Sequence, residues 1–200
     1  MGRLGNILAL VVLWLSSAGF ASAQDLKVLS EPDAQKAAAA INSANAGVKS
    51  LQADFMQVKE MAIVKEKMVS SGKMYFQDGS LRWEYVKPSK SVFVTDKDQM
   101  KSNRMFRSMA GLMAGSLTGI NLNDPSFKVT MYSPGKGYVA ELVPLKREMK
   151  QMFTKIRLLF GADNRVRQVE LEESQGRTVI TLSNVKYNVS LDPGLFKAAE

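Results

Sequence analysis

The chain has 200 residues, with 27 Lys and Arg against 19 Asp and Glu, a formal net charge of +8, no His and no Cys. Without imidazole or thiol, Ser-His-Asp and Cys-His catalysis, imidazole and thiolate metal sites and haem ligation by His are all excluded by inventory. Disulfides are excluded as well, and so is the lipidated cysteine through which a bacterial lipoprotein is anchored.

The chain opens with Arg3, an apolar run from Ile7 to Leu15, and Ala21-Ser22-Ala23 before Gln24. This three-part pattern predicts a signal peptide over residues 1–23, cleaved to leave a single domain over residues 24–200. The apolar run is too short to cross a bilayer stably, which needs about 20 residues, and no later stretch is longer. The expected product is therefore exported to the periplasm. Removing Arg3 leaves 26 basic against 19 acidic residues, or +7, a balance that suits an acidic partner or an anionic membrane surface as well as plain solubility.

Ser30-Glu31-Pro32-Asp33 supplies a cap, a first-turn proline and acidic groups for a helix that runs through Ala37 to Ile41 and closes at Gly47. Ala34, Ala37, Ala38 and Ile41 share one face of it, and their small size lets the helix press close to a sheet as a plug or lid. From Leu51 the period changes to two, with Leu51, Ala53 and Phe55 on one side and Gln52 and Asp54 on the other. Further strands are expected at 65–76, 81–86, 91–95, 99–103, 127–132, 138–143, 153–160, 166–172 and 178–188. They are separated by turn sequences such as Asp78-Gly79, Pro134-Gly135-Lys136-Gly137 and Ser174-Gln175-Gly176. Many short strands in hairpin order predict a mainly β fold, a curved antiparallel sheet or barrel.

The exception is Met105, Phe106, Met109, Leu112, Met113 and Leu117, which follow helical spacing around Ala110 and Gly111 and predict a short apolar helix. Twelve Met residues are an excess, and thioether surfaces adapt to ligands of varied shape. Met74 and Met131 read equally well as ordinary core filling. No Gly-rich phosphate loop is present, because Gly111 and Gly115 lack the following Lys-Ser/Thr. The basic stretch Lys101 to Arg107 sits among Met, Leu and Gly and does not read as a nucleic-acid site. Glu170 and Glu172 read as the solvated face of a strand rather than a catalytic pair, so no enzyme activity, metal or cofactor is expected.

Leu51-Gln-Ala-Asp-Phe55-Met-Gln57, Gly72-Lys-Met-Tyr-Phe76, Leu81-Arg-Trp-Glu-Tyr85 followed by Pro88, Val94-Thr-Asp96 and the late strands between Leu158 and Asn188 together resemble the outer-membrane lipoprotein carrier (LolA) family. The Leu-Arg-Trp-Glu-Tyr strand is the most specific piece. The resemblance implies an unclosed antiparallel β-barrel, or half-barrel, covered by the N-terminal helix and the short lid helix. Its apolar interior takes acyl chains of lipoproteins from an inner-membrane ABC lipoprotein-releasing transporter and passes them to an outer-membrane acceptor lipoprotein. By strand period, Leu51, Phe55, Leu81, Trp83, Tyr85 and Phe93 are expected to line the cavity, and Met105, Met109, Leu112 and Met113 to form the lid. Family members often carry a basic residue and proline in the turn before the Leu-x-Trp strand, where this chain has Gln77-Asp78-Gly79-Ser80.

The expected function is thus a monomeric periplasmic chaperone that covers acyl chains, whose burial is worth about 0.8 kcal/mol per CH₂. The alternatives are a carrier for another acylated or polyene lipid, or a sensor of lipid or lipoprotein with the same fold. Leu81→Glu is expected to abolish carriage while leaving the fold intact.

Overall fold

The computed structural model describes residues 26–63, 66–95 and 119–197. The expected strand at 99–103 and the expected lid helix carrying Met105, Met109, Leu112 and Met113 lie outside these residues, as does the expected signal peptide.

The first helix, α1 (Glu31–Asn45), starts where the sequence predicts: the Ser30 side chain accepts from the backbone N–H of Asp33, Pro32 stands in the first turn, and Glu31 and Asp33 sit at the positive end. It ends at Ala46, one residue before Gly47, which needs no left-handed backbone. Ala37, Ala38 and Ile41 are buried, so the small-residue face does pack inward.

Ten strands follow the chain as β1 (Lys27–Val28), β2 (Ser50–Met61), β3 (Lys67–Gln77), β4 (Ser80–Lys87), β5 (Ser91–Thr95), β6 (Phe127–Ser133), β7 (Tyr138–Pro144), β8 (Lys155–Phe160), β9 (Val166–Glu173) and β10 (Gly176–Tyr187). They form one antiparallel sheet in the order β1-β6-β7-β8-β9-β10-β2-β3-β4-β5. Among the described residues the sheet is not closed, and β1 and β5 are its edges. Two elements are not foreseen from sequence, the two-residue edge strand β1, paired through Lys27 with Ser133 and Val28 with Tyr132, and the single-turn helix α2 (Arg147–Lys150).

The alternation of each strand decides which face is buried. In β2 the series Leu51, Ala53 and Phe55 is buried while Gln52, Asp54 and Met56 face the other way; the same holds for Ile156, Leu158 and Phe160 in β8 and for Ile180 and Leu182 in β10. Laid flat, ten strands would span about 43 Å, and a fifteen-residue helix such as α1 covers only about 22 by 10 Å. Yet inner side chains from β2, β3, β4, β6, β7, β8, β9 and β10 join α1 in one continuous core. The sheet therefore curls round its own inner face.

Two side chains of α1 fix the helix in place. Asn42 donates through Nδ2 to the carbonyl of Ile120 (3.0 Å) and accepts through Oδ1 from the N–H of Ile120 (2.7 Å), as a neighbouring strand residue would. Gly119 has φ +138° and approaches so closely that a Cβ there would lie 2.3 Å from Asn42 Oδ1. Buried Asn45 donates to the carbonyls of Ile41 (2.7 Å) and Asn164 (3.2 Å), tying the helix to the β8–β9 turn.

The outer face carries charge in place of apolar packing. Across β7 to β10, Glu141 pairs with Arg157 (2.9 Å) and Lys155 (3.5 Å), and Glu170 with Arg177 (2.8 Å) and Arg157 (4.0 Å). Glu170 does point outward, but it is only 7% exposed. It is therefore not the solvated residue that strand alternation predicts: two arginines and the Gln168 amide, 2.7 Å away, cover it. Arg82 and Glu84 also face outward and pair at 3.1 Å, and Arg82 Nη1 donates to the carbonyl of Leu195 (3.1 Å), pinning the 3-10 turn Pro193–Phe196 to the back of β4.

Candidate functional site

The six side chains expected to line a cavity all fall on the inner face of β2, β4 and β5. The register places them in adjacent rows: Leu51 beside Phe76 and Phe76 beside Leu81; Phe55 beside Gly72 and Gly72 beside Tyr85; Trp83 between Met74 and Phe93. Four of them make an aromatic cluster. The Phe55 ring lies 4.1 Å from Trp83 and meets Tyr85 edge-on at 5.3 Å, and Tyr85 meets Phe93 edge-on at 6.0 Å. Such contacts add about 0.5–1.5 kcal/mol each beyond the area they bury.

Gly72 makes the cluster possible. A Cβ on it would stand 1.8 Å from the Glu84 carbonyl oxygen and 2.9 Å from Phe55 Cε1. Only a glycine lets β4 approach β3 here while Phe55 folds over the strand. Sequence reasoning places this residue in a motif and misses what it does; its place opposite two aromatic positions is the signal that could have shown it.

The inner face divides into two zones along the strands. Over the first part of β2 it is mainly apolar, with Leu51, Ala53, Met74, Phe76, Leu81 and Leu182 buried and Thr95 a buried polar residue beside Leu81; Met74 and Met131 are core residues. Beyond Phe55, toward the β2–β3 hairpin, the inward positions of β2 become polar: Gln57 lies beside Ser70 and Ile180, then Lys59 beside Met68 and Thr178, with Lys59 Nζ 4.0 Å from Glu173. Tyr85 stands at the boundary, half-buried, its hydroxyl donating to Gln57 Oε1 (3.0 Å). Burial pushes the Tyr85 phenol up, and the Trp83 and Gln57 side chains only partly oppose this.

The six residues differ in depth. Leu51, Phe55, Leu81 and Trp83 are buried, whereas Phe93 is 37% exposed at the rim near the β5 edge. A carboxylate at Leu81 would be placed in the core, where an unpaired charge costs several kcal/mol. Leu81→Glu therefore does not separate carriage from folding, and Phe93 is the position where a charge can reach water. Met105, Met109, Leu112 and Met113 lie outside the described residues. Among the described residues no group of three acidic side chains is placed to hold a metal ion, and no helix is long and apolar enough to cross a membrane.

Residues 46–111 match the family model of the outer membrane lipoprotein carrier protein LolA. The match takes in the Leu51–Gln57, Gly72–Phe76, Leu81–Tyr85 and Val94–Asp96 pieces and all six inner-face residues, and it stops short of the late strands between Leu158 and Asn188. No curated protein matches the sequence. Solved structures similar to this chain include the LolA superfamily protein NE2245 from Nitrosomonas europaea, at 10% identity and TM-score 0.34 over 82% of this chain and 97% of that one. Another is the lipoprotein LppX from Mycobacterium tuberculosis, at 10% identity and TM-score 0.42 over 82% and 100%. A third is a putative outer membrane lipoprotein-sorting protein domain from Vibrio parahaemolyticus, at 10% identity and TM-score 0.37 over 80% and 94%.

Proposed function

We propose that residues 24–200 work in the periplasm as a non-catalytic lipoprotein carrier, taking acyl chains onto the inner face of the open sheet and passing them between membranes after residues 1–23 are cleaved. The observation that carries this reading is the inner face itself. Leu51, Phe55, Leu81, Trp83, Tyr85 and Phe93 lie together on an apolar, aromatic surface inside an unclosed sheet, and the matched family model is that of a lipoprotein carrier.

An acyl chain of some fifteen methylenes represents about 12 kcal/mol of apolar burial, so it does not cross water uncovered. The α1 residues Ala37, Ala38 and Ile41 bury into the same core as the deep part of the inner face. That contact is shallow, because Ala37 and Ala38 present methyl groups where longer side chains would interdigitate with the sheet. Cargo enters by displacing α1 from the sheet, which gives up the Asn42 and Asn45 hydrogen bonds. The donor of the cargo is an inner-membrane ABC transporter and its receiver an outer-membrane acceptor lipoprotein.

The test is lipid extraction and native mass spectrometry of the tagged protein recovered from the periplasm, with Phe93→Glu alongside. Co-purified triacylated lipoproteins, lost in Phe93→Glu while its circular dichroism shows the folded sheet retained, are expected. Recovery of free lipids or polyenes without lipoproteins, or undiminished loading of Phe93→Glu, overturns this reading.

A further inference from the structure

Among the described residues, the Trp83 indole N–H is one of two inner-face polar groups buried without a hydrogen-bond partner, the other being the Tyr187 hydroxyl. Trp83 is 4% exposed, and its indole Nε1 is buried without a hydrogen-bond acceptor. An unsatisfied buried N–H is costly, and native proteins seldom leave one without a use. The Tyr85 hydroxyl does not satisfy it: that oxygen is near enough for the indole to favour the phenolate, yet the pair falls short of hydrogen-bond geometry, and its proton goes to Gln57.

The position of this N–H is informative. Trp83 stands in the row of Ala53 and Met74, one row inside the Phe55–Gly72–Tyr85 row, and its ring leans on Phe55, with the indole near the Tyr85 hydroxyl that bonds Gln57 at the edge of the polar zone. An amphiphile lying along the strands would place its hydrocarbon among Leu51, Phe76 and Leu81 and its first polar atoms at the indole N–H. The ligand group that fits is an acceptor, and a neutral one: the cation on this stretch of the face, Lys59, already has Glu173 beside it, and an indole N–H in an aromatic surround offers a neutral hydrogen bond and no countercharge.

We infer that Trp83 Nε1 donates a hydrogen bond to the neutral acyl carbonyl, ester or amide, of the bound lipid, and so fixes how deep the chain sits. This rests on the carrier reading of the same face and adds what that reading lacks, a polar contact that recognises the acyl linkage. Phe55, stacked on the indole, and Gly72, which lets Phe55 in, hold the ring in place.

Trp83 is the single tryptophan outside residues 1–23, since the chain's only other one is Trp14, so its indole N–H gives one assignable nitrogen-proton resonance in the protein lacking the leader. Titration with methyl palmitate should shift that resonance downfield, whereas methyl hexadecyl ether, with the same chain and no carbonyl, should bind without that shift. The ester should bind about three- to tenfold more tightly than the ether, the worth of one neutral hydrogen bond, and Trp83→Phe, read by calorimetry, should erase the difference while still binding both. A synthetic triacylated lipopeptide and dipalmitoyl phosphatidylglycerol separate the sources of the carbonyl; the one that moves the resonance is the class recognised. Equal binding of ester and ether with no carbonyl-dependent shift overturns the inference and leaves the carrier reading standing. Failure of every acyl probe to bind the intact protein removes both.

Discussion

Replacing Gly72 with alanine tests the central packing claim, that the aromatic inner face depends on one missing Cβ. The added carbon would sit 1.8 Å from a main-chain oxygen, Glu84 O, and 2.8 Å from its carbon. Ordinary contact begins near 3.4 Å, so β3 and β4 must part by roughly 1.5 Å at this point, and no side-chain rotation can relieve the clash. Phe55, at 2.9 Å, must also leave its stack on Trp83. Overpacking of this kind costs about 1–3 kcal/mol, and contact with backbone puts Gly72→Ala at the upper end, about 3 kcal/mol. For a chain of this length that corresponds to a fall in Tm of roughly 6–12 °C. Gly47→Ala is the matched control, since nothing lies within 4 Å of its Cβ and its φ is not positive. By restricting the unfolded chain it should stabilise by about 0.4–1 kcal/mol. Thermal and urea unfolding followed by far-UV circular dichroism, with Trp83 emission as a second probe, measures both. A Gly72→Ala protein within 1 kcal/mol of wild type, as a bound on the overpacking range, would refute the argument that the strand approach requires glycine.

Three further outcomes are expected. Asn42→Leu removes both hydrogen bonds to the Ile120 backbone and should cost about 1–3 kcal/mol, with faster exchange of the Ile120 amide; unchanged exchange would show that the helix is held elsewhere. Glu170→Gln leaves Arg157 and Arg177 without their shared carboxylate. Because both arginines are partly exposed, the loss should be about 1–2 kcal/mol, below that of a fully buried pair, and a urea series at two salt concentrations checks it. Burial pushes the phenols of Tyr85, Tyr132 and Tyr187 up. The unfolded chain therefore ionises first as pH rises, so their contribution to stability is complete below pH ~10 and is lost as pH climbs from there through the raised native values. Tyrosinate absorbance should show these groups ionising later in the native than in the denatured protein, and coincident titrations would contradict the burial.

Much of this fold is legible in the sequence because the sheet has one buried face. Period-two alternation in Leu51–Phe55 or Leu81–Tyr85 reports the side on which a residue lies, and turn sequences such as Asp78-Gly79 mark where a strand ends. The same alternation is enough to assign the six inner-face residues to one side of the sheet. It fails for β1, whose two residues have no period and become a strand only by pairing with β6, and for the four-residue α2, which is too short to show one. It also fails for Glu170: alternation says that its side chain points outward, but only the neighbouring strands bring the two arginines that cover it. Partnership is likewise the hidden part of Trp83, where the sequence predicts the inward side chain and only the assembled neighbours show that its N–H is unanswered.

The unclosed edge has a mechanical consequence. In a closed barrel, strand number and stagger fix the radius, and a wider bore means breaking a ladder of hydrogen bonds. Among the described residues no ladder joins β1 to β5, so the girth of the sheet is a free variable: it can be let out or taken in by small changes of twist between neighbouring strands while every strand keeps its partners. A vessel with such a seam is sized by what fills it, and one sheet can hold contents of different bulk at nearly the same cost in backbone bonding.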